Sequence, residues 1–123
     1  MIHHIGLRVA DADAAARFYA EAFGFTSEAT AGGPEGVRIT LAKRAGARLE
    51  LFELPELATP VWDSPLTALR AGVGHFALTV EDLADVFARA VAAGARPLWP
   101  PVPGRTMAFL ADPDGNLIEL LSP

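Results

Sequence analysis

The chain has 123 residues, 51% hydrophobic and 20% charged, enough for one domain with a real core and unlike the composition of a disordered segment. With Asp+Glu 15 against Lys+Arg 10, the net charge of -5 carries no electrostatic footprint for nucleic acid or an anionic membrane. Cysteine is absent, so disulfides and thiolate metal sites are excluded, and a transition metal would have to use His and carboxylate ligands. No apolar run reaches membrane-spanning length, and Met1-Ile2-His3-His4 lacks the regions of a signal peptide, so a soluble cytoplasmic protein is expected.

Residues His3 to Val9 read as a strand, with Ile5, Leu7 and Val9 on one face and His4, Gly6 and Arg8 on the other. Asp11 or Asp13 caps the next helix, whose residues Ala15, Phe18, Tyr19, Ala22 and Phe23 form one apolar stripe and which Gly24 ends. A weak strand over Phe25 to Thr30 leads into a loop from Ala31 to Gly36. Val37 to Ala42 alternates as a strand, Lys43 to Gly46 make a hairpin connection, and Ala47 to Leu54 form another strand, with Glu50, Phe52 and Leu54 on one face. Pro55, Pro60 and Pro65 mark residues 55–72 as a connector, with a helical turn expected at Leu66 to Ala71.

The pattern then starts again. Gly74 to Val80 copies His3 to Val9, so that His75 repeats His4 and Asp82 repeats Asp11 as a helix start. Leu83, Val86, Phe87, Ala90 and Val91 repeat the apolar stripe, and Gly94 closes the helix. A short strand at Arg96 to Trp99, a proline-rich break and a strand from Arg105 to Ala111 follow. Asp112 to Asn116 then reverse the chain, with Pro113 pre-setting φ and Gly115 tolerating positive φ. In the last strand Leu117, Glu119 and Leu121 share a face, which puts a carboxylate inside an apolar ribbon. Glu50 poses the same problem in the first half. Such a group must be paired, hydrogen-bonded or metal-bound.

Each half is thus β-α-β-β-β, with a His on its first strand and a Glu on its last, both facing away from the helix. The fold class is α+β: module one (1–54) and module two (73–123), joined by the connector 55–72, make a single domain over 1–123. The modules are expected to pair into a curved mixed sheet around a central cleft. Two such sheets facing one another would gather His4, Glu50, His75 and Glu119 in one pocket. Two nitrogen and two oxygen donors suit one divalent transition metal (Zn, Ni, Co, Mn or Fe) with water positions left open.

The ordered set His4-Ile5-Gly6-Leu7, Leu49-Glu50-Leu51, His75 to Val80 and Asp112 to Leu120 resembles the vicinal oxygen chelate superfamily across essentially the whole chain. That superfamily includes glyoxalase I, methylmalonyl-CoA epimerase, extradiol dioxygenases and the fosfomycin and bleomycin resistance proteins. The resemblance implies that His4, Glu50, His75 and Glu119 occupy the family's four metal positions, with Glu at position 50 as in glyoxalase I-like members. It also implies a small-molecule substrate and a homodimer, in which the ligands come from one chain or from two.

A substrate chelating the metal through two adjacent oxygens would lose a proton from carbon to give an enediolate, with Glu50 and Glu119 as candidate bases. The expected activity is a metal-dependent lyase or isomerase of glyoxalase I type. Extradiol-type dioxygenase chemistry and non-catalytic sequestration of a small molecule, as in a resistance protein, are the alternatives. Arg8 and Arg38 are the candidate substrate-binding cations; no cationic cluster suits a glutathione carboxylate or a coenzyme A phosphate. His3, out of phase with the pocket face, reads as structural and Glu53 as solvated, while Trp62 and Trp99 read as packing residues.

Overall fold

The computed structural model describes residues 1–56, 58–65 and 73–123, and the helical turn expected at Leu66 to Ala71 lies outside them. The chain divides after Ala58, within the connector, into unit 1 (Met1–Ala58) and unit 2 (Thr59–Pro123). The fold is α+β, and each unit carries one helix and one mixed sheet that is not closed.

In unit 1, β1 (Ile5–Val9) is followed by α1 (Ala12–Phe23), β2 (Thr26–Ser27), β3 (Ala31–Gly32), a 3-10 turn, β4 (Arg38–Arg44) and β5 (Ala47–Glu53). The strand order is β1-β5-β4-β2, with β3 also on β4, and β1 runs parallel to β5 while the other pairs are antiparallel. Asp11 caps α1 by accepting the Ala14 N–H at 2.8 Å, and Gly24 ends it at φ 73°. Phe18, Tyr19, Ala22 and Phe23 are buried together with Leu7, Val9, Leu49 and Leu51, so the apolar stripe of α1 and one sheet face form the core. Burial of each such large side chain contributes about 1.5–3 kcal/mol. Phe25 joins this core, edge-on to Tyr19 at 5.8 Å between ring centres.

Several boundaries differ from the sequence expectation, with β1 starting two residues later than expected. The weak strand shrinks to Thr26–Ser27, and the presumed loop contributes β3, because residues 31 and 32 reach the ladder of β4 opposite Ile39 and Arg38. The hairpin connection is only Ala45–Gly46, both with positive φ (45° and 85°), so β4 and β5 stay paired out to Arg44 and Ala47.

In unit 2, β6 (Phe76–Thr79), α2 (Leu83–Ala92), β7 (Arg96–Trp99), β8 (Met107–Ala111) and β9 (Leu117–Leu121) form a sheet of order β6-β9-β8-β7. β6 is parallel to β9, as β1 is to β5. Asp82 caps α2 through the Asp85 N–H at 2.9 Å, and Leu83, Val86, Phe87 and Ala90 bury its inner face. Ala93 is the C-cap, with Gly94 just beyond it at φ 118°. The core continues through Phe76, Leu78, Ala108, Leu110, Ile118 and Leu120 on the helix-facing side of the sheet.

Candidate functional site

Pairing register determines what the outer faces carry. In unit 1, Gly6 lies opposite Glu50 and Arg8 opposite Phe52, while Leu41 pairs with Glu50 and Ile39 with Phe52. Residues opposite one another share a face, so His4, two residues upstream of Gly6, stands on the Glu50 side, away from α1. Its Nε2 lies 2.8 Å from Glu50 Oε2, the side chains being 37% and 22% exposed. Ile39, Leu41 and Phe52 surround the carboxylate with half-buried apolar surface. His3, expected to be structural, places Nδ1 2.8 Å from His4 Nδ1, and Arg48 Nη1 lies 2.8 Å from His3 Nε2.

Unit 2 repeats the geometry. Ala77 lies opposite Glu119, and His75, two residues upstream of Ala77, places its Nε2 3.2 Å from Glu119 Oε2. The surroundings here are aromatic. Phe109, opposite Glu119 on β8, meets the His75 ring edge-on at 5.1 Å, and Trp99 packs edge-on against Phe109 at 5.5 Å. The sequence reading missed Phe109, although alternation of β8 sets Met107, Phe109 and Ala111 on one face.

The turn that leads into β9 is held by Asp112, whose buried carboxylate accepts the N–H groups of Asp114 and Asn116 at 2.9 and 2.8 Å and the Asn116 Nδ2 at 2.9 Å. Gly115 has φ 85°, and a Cβ there would lie 2.6 Å from the Pro60 carbonyl oxygen. Trp62 donates its indole N–H to the Gly115 carbonyl at 2.9 Å and packs on Ala111 and Leu117, consistent with its reading as a packing residue. A cavity of about 210 Å³ lies between residues 59–62 and this turn, with Arg96 in its lining.

Two charged residues have roles other than those expected. Arg38 lies on the α1 side of β4, like the buried Thr40, and is ion-paired to Asp13 and Glu53, each at 3.0 Å. That commits the guanidinium to carboxylates away from the Glu50 face. Glu53, expected to be solvated, has an 18% exposed side chain that accepts the Ala12 N–H at 2.9 Å, so it caps the start of α1 from β5. The Arg38 hydrogen bond, with a second from Thr30, holds the Asp13 carboxyl below the usual carboxylate range, and Asp13 in turn raises the Arg38 guanidinium. Arg8 does lie on the Glu50 face, with its guanidinium nitrogens shielded from solvent.

Among the described residues, no group of three or more His, Asp or Glu side chains forms a metal-holding cluster; each His–Glu pair brings two candidate donors together. The His75–Glu119 separation matches one edge of a coordination sphere, and the His4–Glu50 separation, a hydrogen-bond distance, is slightly shorter than such an edge. Two ligands at about 2.1 Å from one cation, 90–109° apart, are separated by about 2.9–3.4 Å. The observed N···O separations are 2.8 and 3.2 Å.

The chain resembles several solved structures along nearly its full length. The glyoxalase family protein of Enterococcus faecalis is 27% identical, with 98% of this chain and 96% of that one covered at a TM-score of 0.73. The trypanothione-dependent glyoxalase I of Leishmania major is 26% identical, with coverages of 99% and 86% and a TM-score of 0.77. The fosfomycin resistance protein FosX of Listeria monocytogenes shares the fold at 16% identity and a TM-score of 0.72, with 100% of this chain and 91% of that one covered. No curated protein matches the chain. The family profile covers residues 1–120, and the chain belongs to the Glyoxalase/Bleomycin resistance protein/Dioxygenase superfamily.

Proposed function

We propose that the chain is a metal-dependent lyase or isomerase of glyoxalase I type, acting on a small substrate that presents two adjacent oxygens. His4, Glu50, His75 and Glu119 are the ligands of one divalent transition metal, contributed by one chain or by two copies in a homodimer. The observation that carries this reading is the repetition of one His–Glu pair at equivalent register in both units. A bound divalent metal would supply carbonyl polarisation, which acidifies the neighbouring C–H.

The protein's own residues do the rest. A carboxylate held within hydrogen-bonding reach of the reacting carbon can accept its proton. Glu50 or Glu119 takes the proton from the carbon next to the carbonyl and returns it to the adjacent carbon. Phe109 and Trp99 beside His75, and Phe52 beside Glu50, restrict water around the reacting carbon. Arg8, on the Glu50 face, anchors an anionic substituent of the substrate.

The test is elemental analysis of protein purified without added metal, followed by ¹H NMR of deuterium uptake from D₂O into α-hydroxycarbonyl compounds. A stoichiometric divalent ion and exchange that chelation abolishes are expected. Bound metal with no exchange into any chelating carbonyl compound would leave the activity unsupported. The aromatic face around Phe109 also favours a second reading, sequestration of an apolar small molecule, in which the His–Glu set would be unnecessary and no stoichiometric metal would be found.

A further inference from the structure

The two His–Glu pairs differ in one respect that the duplication does not explain. Beside His4 runs a polar chain from Arg48 through His3 and His4 to Glu50, with each of its three contacts at 2.8 Å. In unit 2 the residue before His75 is Gly74, and two residues before Glu119 stands Leu117, so the same chain cannot form there. The fold does not need it.

Hydrogen-bond chemistry allows this chain one direction when both imidazoles are neutral. A guanidinium only donates, so His3 Nε2 must present its lone pair to Arg48. The single proton of His3 is then on Nδ1 and is donated to His4 Nδ1. His4 carries its own proton on Nε2 and donates it to Glu50. Every link is satisfied.

A divalent cation at the His4–Glu50 edge needs the lone pair of Nε2, which is where that proton sits. From this we infer that cation binding reverses the tautomers of both rings and expels Arg48 from His3. The inference rests on the assignment of His4 as a ligand. In the reversed state His4 holds its proton on Nδ1 and donates it to His3 Nδ1, and the proton of His3 sits on Nε2. Each ring still carries one proton, so none is gained or lost overall. His3 Nε2–H now faces the Arg48 N–H, two donors with no acceptor between them, and the arginine must withdraw. His3 is thus a positioning residue for His4, and Arg48 opposes cation entry.

The experiment uses Zn(II) as the probe with ¹⁵N-labelled protein. In the metal-free protein, imidazole ¹⁵N spectra should show protonated His3 Nδ1 and His4 Nε2; protonated His3 Nε2 there would overturn the inference. With Zn(II), the His3 proton should appear on Nε2. A His3 tautomer that stays put while His4→Ala weakens Zn(II) binding would also overturn it. In titration calorimetry, Arg48→Gln should bind Zn(II) about tenfold more tightly than wild type, since a donor clash costs about 1.4 kcal/mol. Arg48→Met removes the donor as well and should bind about as tightly as the Gln variant; a gain in affinity in these variants with no change of the His3 tautomer on Zn(II) binding to wild type would reduce the effect to charge repulsion and sink the relay. If His4→Ala binds Zn(II) as wild type does, the ligand assignment itself falls, and the expulsion of Arg48 with it.

Discussion

Glu50 lies among Ile39, Leu41 and Phe52 and Glu119 beside Phe109, yet each carboxylate faces one imidazole, and Gln removes its charge at nearly constant shape. Glu50→Gln and Glu119→Gln are each expected to lower solvent-deuterium exchange by at least about 10²-fold, the usual contribution of a positioned base. Asp13 offers a different test. Its folded pKa is depressed by Arg38 and Thr30, so its contribution to stability is present above the unfolded carboxylate pKa and disappears as pH falls through the lowered folded value. Asp13→Asn should therefore lower the urea midpoint at neutral pH, and its deficit relative to wild type should shrink as pH falls below the ordinary carboxylate range. At this scale the sequence showed the four ligand candidates, because alternation and duplication together specify a face. The contacts of His3 with His4 and Arg48 were not legible, because β1 begins only at Ile5 and side-chain pairing just ahead of a strand has no sequence signature. Trp99 packs, as its sequence context suggested, but its partner Phe109 was not legible, because the register shifts between Pro97 and Trp99 and moves the indole to the Phe109 face.

Among the elements, the helices and the long strands were legible and the short ones were not. Strong 3.6-residue periodicity with an Asp at each start specifies α1 and α2, whereas β2 and β3 are two residues each and owe their existence to the neighbouring β4. The Ala45–Gly46 turn was placed too broadly because its first residue is an alanine at φ 45°, where Asn or Gly is the usual signal. Ala45→Asn should relieve that strain and raise stability by about 0.5–1 kcal/mol in chemical denaturation. The Asp112 turn has the opposite character, since its residue types announce it and its carboxylate satisfies three donors. Asp112→Ala leaves those donors without their acceptor and is expected to cost about 2–3 kcal/mol, measurable as a lower thermal midpoint.

At the scale of the whole molecule, the doubling of one β-α-β-β-β plan was legible because the His, the helix-start Asp and the Glu recur in the same order. The extra strand β3 in unit 1 was not, since nothing in Ala31–Gly32 resembles a strand by itself. A ligand that binds only folded protein raises stability by mass action, and a cation at one hundred times its dissociation constant contributes about 2.7 kcal/mol. The thermal midpoint should rise accordingly on adding Zn(II) and fall back with a chelator, and the rise should be absent in a His4→Ala, His75→Ala double variant.

The parallel pairing of β1 with β5, and of β6 with β9, means that each unit joins its first strand to its last. Neither donor pair exists in a nascent chain until the far strand has been synthesised and has docked, which makes both late, non-local events. Fraying of β5 from β1, or of β9 from β6, would separate imidazole from carboxylate in the same motion, so amide exchange along these two seams and the rate of ion loss should rise and fall together.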